Sequence, residues 1–308
     1  MLLALQEHAA EASGKFDAGK TIIEHISNTS VADPLIHLPR VLGIDFSVTK
    51  HVLMLWLVAA FVFIVTTAVV RRHLRRDERV PSGFMNALEA VVEFVRDQIV
   101  RPNVGSEWVG TWTPLILTFF IFILCANAIG LIPVFDVIAL LDHWVLRTGP
   151  DSFVKHMLHG GTTATANFNV TAALATVTFV AIIVAGTKAH GFITHWKNLV
   201  PSGQQAWMYV ILVPIELISM FVKPFALTMR LAANMTGGHI AILAILSFVF
   251  MFAELFGRAV AGIGVGLAVS VPLATAISAL ELLVVLIQAY VFTLLTAVFI
   301  GMAIHVHH

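Results

Sequence analysis

Charge is what this chain has least of. Only 12% of its 308 residues are Asp, Glu, Lys or Arg, against about 25% in soluble domains. Hydrophobic residues make up 58%, and mean hydropathy is +0.91. An ordinary soluble globule is excluded, and an all-α integral membrane protein is the expected fold class. Formal charge sums to zero, yet the basic residues cluster, so the balance conceals an orientation signal. Cysteine is nearly absent too. Cys125 stands alone in an apolar run, which rules out an intrachain disulfide and suits a small buried residue better than a reactive thiol. The His-Glu-x-x-His pattern of a zinc hydrolase is missing. So are the repeated halves with matching broken helices that many secondary transporters show. The first twenty residues carry Glu7 and Glu11 without a basic start before an apolar core, so a cleaved signal peptide is not expected. The sequon Asn28-Thr29-Ser30 reads as chance. The chain is expected to bind no nucleotide, cofactor or metal and to hold no catalytic site of its own. Its His305-Val306-His307-His308 tail reads as a solvated terminus.

What is present is a series of apolar runs. Residues 1–50 are polar, with breaks at Asp33-Pro34 and Leu38-Pro39, and read as an external N-terminal segment. Residues 51–70 form the first span, near the ~20 residues a bilayer needs. Arg71, Arg72, Arg75, Arg76 and Arg79 follow at once. Such a run beside a span places that end in the cytoplasm and the N-terminus outside; a nucleic-acid patch is the poorer reading. Within 71–112, Phe84, Leu88, Val91, Val92, Val95 and Ile99 share one helical face, while Glu89, Glu93, Arg96 and Asp97 lie elsewhere. That predicts an amphipathic helix at the inner interface. Residues 113–187 make a spanning hairpin with an external loop at 134–168, and 188–206 form a cytoplasmic loop.

The last third differs in kind. Trp207 to Phe256 and Ala259 to Ile304 are each nearly fifty residues long, parted by Gly257-Arg258. A continuous helix of that length reaches roughly 70 Å, against a hydrocarbon core of about 30 Å. Either each run breaks into two spans or the two lie steeply inclined as a hairpin. Phe225 to Phe250 holds no polar cluster long enough for a loop, which favours the hairpin, with residues 305–308 as a tail.

Inside it lies a polar stripe. Glu216, Lys223 and Arg230 are seven apart and Asn234 is four further on, so they share a face with about 20° of drift per step. Ala226, Ala233 and Gly237 share the stripe and would admit another helix closely. Arg230 cannot shed its proton, and a guanidinium this deep is a functional hypothesis by default. The second run carries Glu281 and Gln288. Folding the runs together at Gly257-Arg258 sets Gln288 opposite Arg230 and Glu281 opposite His239 in one antiparallel register. An imidazole and a carboxyl in reach can exchange protons, and such a pair reads as a proton relay open to the outside. The same pair could also be only a packing contact between helices, and Lys223 could simply snorkel. Glu216, Ser219 and Lys223 could line a second entry toward the inner end.

The stretch Pro214-Ile-Glu216 through Ser219 and Lys223-Pro224, continuing Leu227-Thr-Met-Arg230-Leu-Ala-Ala-Asn234-Met-Thr-Gly-Gly238-His239, resembles subunit a of the F-type ATP synthase. Asn127-Ala-Ile-Gly130-Leu-Ile-Pro133, Thr165-Ala-Asn-Phe-Asn169-Val-Thr171 and Gln288-Ala-Tyr290-Val-Phe292 resemble it as well, over about residues 40–305 in order. The resemblance implies a proton-translocating stator subunit of a rotary motor in a bacterial inner membrane. Its partners would be the c-ring, peripheral-stalk b subunits and membrane lipid, with protons as the transported ion and no nucleic acid. Arg230 would face the ring carboxylate and separate two half-channels. His239 and Glu281 match the family's imidazole and acid, Asn234 and Gln288 its polar residues flanking the arginine, and Glu216, Ser219 and Lys223 its inner half-channel. A sodium-translocating version stays open, with an unrelated secondary transporter behind it. Residues 135–161, with His143, His156 and His159, are longer and richer in histidine than the family leads one to expect; they read as a lineage-specific loop, with a part in shaping the outer mouth as the alternative.

Overall fold

The computed structural model describes residues 47–76, 82–131, 164–198, 205–255 and 260–305, together with positions 19, 22 and 23. The expectations for most of the N-terminal segment, Pro133, most of the external loop with its three histidines, the turn at Gly257-Arg258 and the last three residues fall outside the described residues. The elements are α1 (Lys50–Arg76), α2 (Phe84–Phe94), a π-helical turn (Val95–Val100), α3 (Arg101–Val104), α4 (Val109–Leu131), a 3-10 turn (Ala164–Ala166), α5 (Phe168–His190), α6 (Phe192–Lys197), α7 (Ala206–Leu255) and α8 (Val260–Ile304). No β-strand occurs among the described residues. Among the described residues, five helices are long and apolar enough to cross a membrane. The chain is an all-α, multi-pass membrane protein.

The two long runs are continuous helices of 50 and 45 residues, with Pro214 and Pro224 inside α7 and Pro272 inside α8. Neither breaks into two spans. At 1.5 Å per residue α7 reaches about 75 Å, far beyond a ~30 Å hydrocarbon core. Just after Pro224 the Thr228 hydroxyl donates to the Pro224 carbonyl at 3.0 Å. The amphipathic segment departs from a single helix. Its first half is α-helical with Phe84 64% exposed, and its buried side chains Val95, Ile99 and Val100 come from the π-helical turn. There Arg96 donates twice to the Asp97 carboxylate, at 3.0 and 2.8 Å, and Arg101 adds a 3.1 Å ion pair. The hydrogen bonds from Arg96, helped by the charge of Arg101, hold the Asp97 carboxyl below the usual carboxylate range.

The chain divides into two compact units. One comprises residues 1–57, 126–167 and 233–285. In it the Thr165 hydroxyl donates to the buried Asn127 side chain at 2.5 Å, and Thr236 donates to the Ala166 carbonyl at 3.3 Å. Gly266 meets the backbone of α7 so closely that a Cβ there would stand 2.9 Å from the Val249 Cα.

The other unit comprises residues 58–125, 168–232 and 286–308. Its core draws Val95 and Ile99 from the π-helical turn, Ile116 and Phe119 from α4, Ala181 and Ala185 from α5, Leu227 and Leu231 from α7, and Ala289, Phe292 and Ile300 from α8. Lipid tails are as apolar as leucine, so close packing and interhelical polar bonds, rather than escape from water, hold such helices together. One bond is Thr178 to Thr296, 3.3 Å between hydroxyls. The end of α8 is clasped from two sides. His190 Nε2–H donates to the Ile304 carbonyl at 2.8 Å, and His305 Nε2–H donates to the Val104 carbonyl at 3.1 Å. The first of these satisfies a carbonyl that the helix itself leaves open. Gly301 packs directly on the Asn103 backbone, where any side chain would collide.

Candidate functional site

Arg230 lies on α7 between Leu227 and Leu231, which are buried in the core of their unit. Those two residues fix which way the helix faces, and the guanidinium falls on the open side. Of the positions sharing its stripe by sequence spacing, Ala226, Ala233, Asn234 and Gly237 are exposed along with it. Arg230 makes no hydrogen bond or ion pair with another described residue. Its expected neighbour Gln288 is only 4% exposed on α8 and is not hydrogen-bonded to it. The inner-end residues Glu216, Ser219 and Lys223 are all half-buried. The Lys223 ammonium stands 5.8 Å from the centre of the Phe299 ring, and no ion pair joins it to Glu216. Phe221 stacks on Phe179 at 5.3 Å. Lys223 therefore has an aromatic neighbour beyond simple snorkelling, a contact worth about 0.5–1 kcal/mol at exposed sites.

In the other unit α7 and α8 bring an acid and an imidazole together. His239 Nδ1 stands 3.7 Å from Glu281 Oε1, within ion-pair range though too long for a hydrogen bond. Glu281 is 5% exposed. Its carboxylate packs against Gly238, where a Cβ would collide with it. Gly237, one residue earlier, has open space where its Cβ would be. The adjacent glycines thus do different things: one makes room for the acid and the other keeps the exposed stripe low. Asn127, Gly130 and Thr165 are buried in this unit.

These helices match known proteins along nearly their whole length. The family model described as "ATP synthase A chain" matches residues 52–301. The chain belongs to that family. A protein of Chlorobium phaeobacteroides named ATP synthase subunit a is 38% identical over 310 residues, covering 96% of this chain and 80% of its own. One from Prosthecochloris aestuarii, ATP synthase subunit a 2, is 38% identical with 96% and 83% covered. One from Myxococcus xanthus is 40% identical over 266 residues, with 86% and 75% covered.

Sequence reasoning missed the seat that Gly238 gives Glu281, although the adjoining glycines beside His239 were a signal for it. The histidine clasp on α8 carries no local signal at all. The expectation of no nucleotide binding also passed over Gly14-Lys-Phe-Asp-Ala-Gly19-Lys20-Thr21, which has the spacing of a phosphate-binding loop. Such a loop needs a strand before it and a helix after it. No strand occurs among the described residues, and of these eight only Gly19 is described, so the spacing stands as a sequence match alone.

Proposed function

We propose that this chain is the proton-translocating stator subunit of a rotary ATP synthase, working against a c-ring and held by peripheral-stalk b subunits. The observation that carries this reading is the exposed guanidinium of Arg230, which has no partner among the described residues, on a long apolar helix. A fixed cation near the centre of a bilayer costs a few kcal/mol or more, and the chain supplies no acid among its described residues to offset it. A carboxylate on a neighbouring ring would do so. Arg230, flanked by Asn234 and Gln288, then bars direct passage between two half-channels: an outer one with Glu281 and His239, and an inner one with Glu216, Ser219 and Lys223. A proton entering on one side must ride the ring carboxyl around to leave on the other. Protons fit better than sodium because a carboxyl beside an imidazole can pass a proton on. The orientation follows the arginines after α1, with the N-terminus outside and the C-terminus cytoplasmic.

The test is Arg230→Ala in the assembled complex. Proton-driven ATP synthesis is expected to fall to background while the c-ring and stalk subunits still co-purify. Retained synthesis would overturn the reading. Turnover that requires added sodium would replace protons with sodium and leave the barrier role standing.

A further inference from the structure

The basic end of α1 has a feature that ion translocation does not use. Arg71, Arg72 and Arg75 are exposed and form no ion pair among the described residues. Arg76 completes the helix, and Asp77, Glu78 and Arg79 follow it outside the described residues. Steps of three and four residues put Phe61, Ile64, Ala68, Arg71 and Arg75 on one side of the helix, with Arg72 beside them. Below the arginines that side is an open apolar track: Phe61 is 50% exposed, Ile64 63%, and Ala68 is exposed as well.

We propose that this end of α1 is a binding site for an anionic phospholipid, its phosphate held by Arg71, Arg72 and Arg75 and an acyl chain lying along Ala68, Ile64 and Phe61. The layout matches the ligand. From Arg71 to Phe61 is ten residues, or about 15 Å, which is the depth of one leaflet's hydrocarbon. All five basic residues from 71 to 79 are arginine and none is lysine, the choice suited to forked contact with phosphate oxygens. The carbonyl end of a helix by itself disfavours an anion, so a phosphate here needs several guanidinium groups, and several are present. Orientation in the membrane alone would require basic residues near the span. It would not require them to crown its exposed apolar side. A partner helix is the less suitable occupant, since it would have to bring acids to the interface and apolar groups along the track in the same register.

The experiment uses the whole purified complex, delipidated and returned to nanodiscs of phosphatidylglycerol or phosphatidylcholine, with retained lipid read by native mass spectrometry. The wild-type complex is expected to keep phosphatidylglycerol preferentially. The R71Q/R72Q/R75Q variant is expected to lose that preference, by about fivefold per arginine and on the order of 100-fold for all three. Equal retention by wild type and variant overturns the proposal. If the triple variant fails to assemble, a photo-crosslinking residue at position 68 with the arginines intact decides. An adduct to phosphatidylglycerol that phosphatidylcholine does not reproduce supports the site. An adduct only to another polypeptide overturns it and makes the track a protein interface.

Discussion

Arg230 and Glu281 are both ionisable residues set into long apolar helices, and the chain surrounds them in opposite ways. Arg230 is exposed, with small residues along its stripe and no acid beside it among the described residues. Glu281 is 5% exposed, wedged against Gly238 and facing His239. The chemistry of the two groups explains the difference. A guanidinium keeps its charge under any ordinary condition, so enclosing it without a counter-charge is costly. A carboxyl has a neutral form, so it can be enclosed beside a group that gives and takes a proton. One group keeps its charge in any setting, and the other has a neutral form.

The sharpest way to break this contrast is at the two adjacent glycines. Gly238→Ala would push a methyl group into the Glu281 carboxyl, and a displacement near 1 Å in a reacting geometry can cost about 100-fold in rate. Proton-driven turnover is expected to drop by at least about tenfold. Gly237→Ala meets nothing within 4 Å in the chain and is expected to leave the chain's thermal stability unchanged. Equal losses of turnover and stability in both variants would show that Glu281 is not held by the space at Gly238.

Exchanging the members of the pair tests the other half of the contrast. His239→Glu with Glu281→His keeps an acid and an imidazole face to face. It is expected to retain several-fold more proton-driven turnover than either His239→Ala or Glu281→Ala. A double variant no better than the singles would mean that the 3.7 Å approach is packing only.

How much of this could be read beforehand depends on the range of the interactions. The spans, the two overlong helices and the stripe of Glu216, Lys223, Arg230 and Asn234 are local periodicities, and the helices run where the pattern puts them. The meeting of His239 and Glu281 needed only a register and a turn, both inferable once the helices were paired. Arg230 and Gln288 followed from the same register, yet no hydrogen bond forms between them: Gln288 is buried in its core and Arg230 turns to the open side. The π-helical turn was hidden because Val95 and Ile99 fit an ordinary helical face equally well. The clasp of His190 and His305 joins residues 114 and 201 positions apart, and nothing in a sequence period reports contacts of that kind.

The smallest effect is expected at His195, far along the chain from the pair it resembles chemically. His239 shares its surroundings with an acid, whereas His195 is buried against the bare backbone of Gly186 and feels the charge of His190. Burial, and then the charge of His190, lower the affinity of its imidazole for a proton below the ordinary value of 6.5. The folded form therefore prefers neutral His195, and this contribution is complete above the ordinary histidine range. It is lost as pH falls through the lowered folded value. Measured relative to the intrinsic rate, which itself falls as pH falls, amide exchange across residues 192–198 is expected to speed up at pH 5 relative to pH 7.5 in the wild-type chain, and His195→Phe is expected to abolish that acceleration. Gly186→Ala, which would drive a methyl group into the ring, is expected to loosen the same segment at both pH values by about 1–3 kcal/mol. An acceleration that persists in His195→Phe would assign the acid sensitivity to another group.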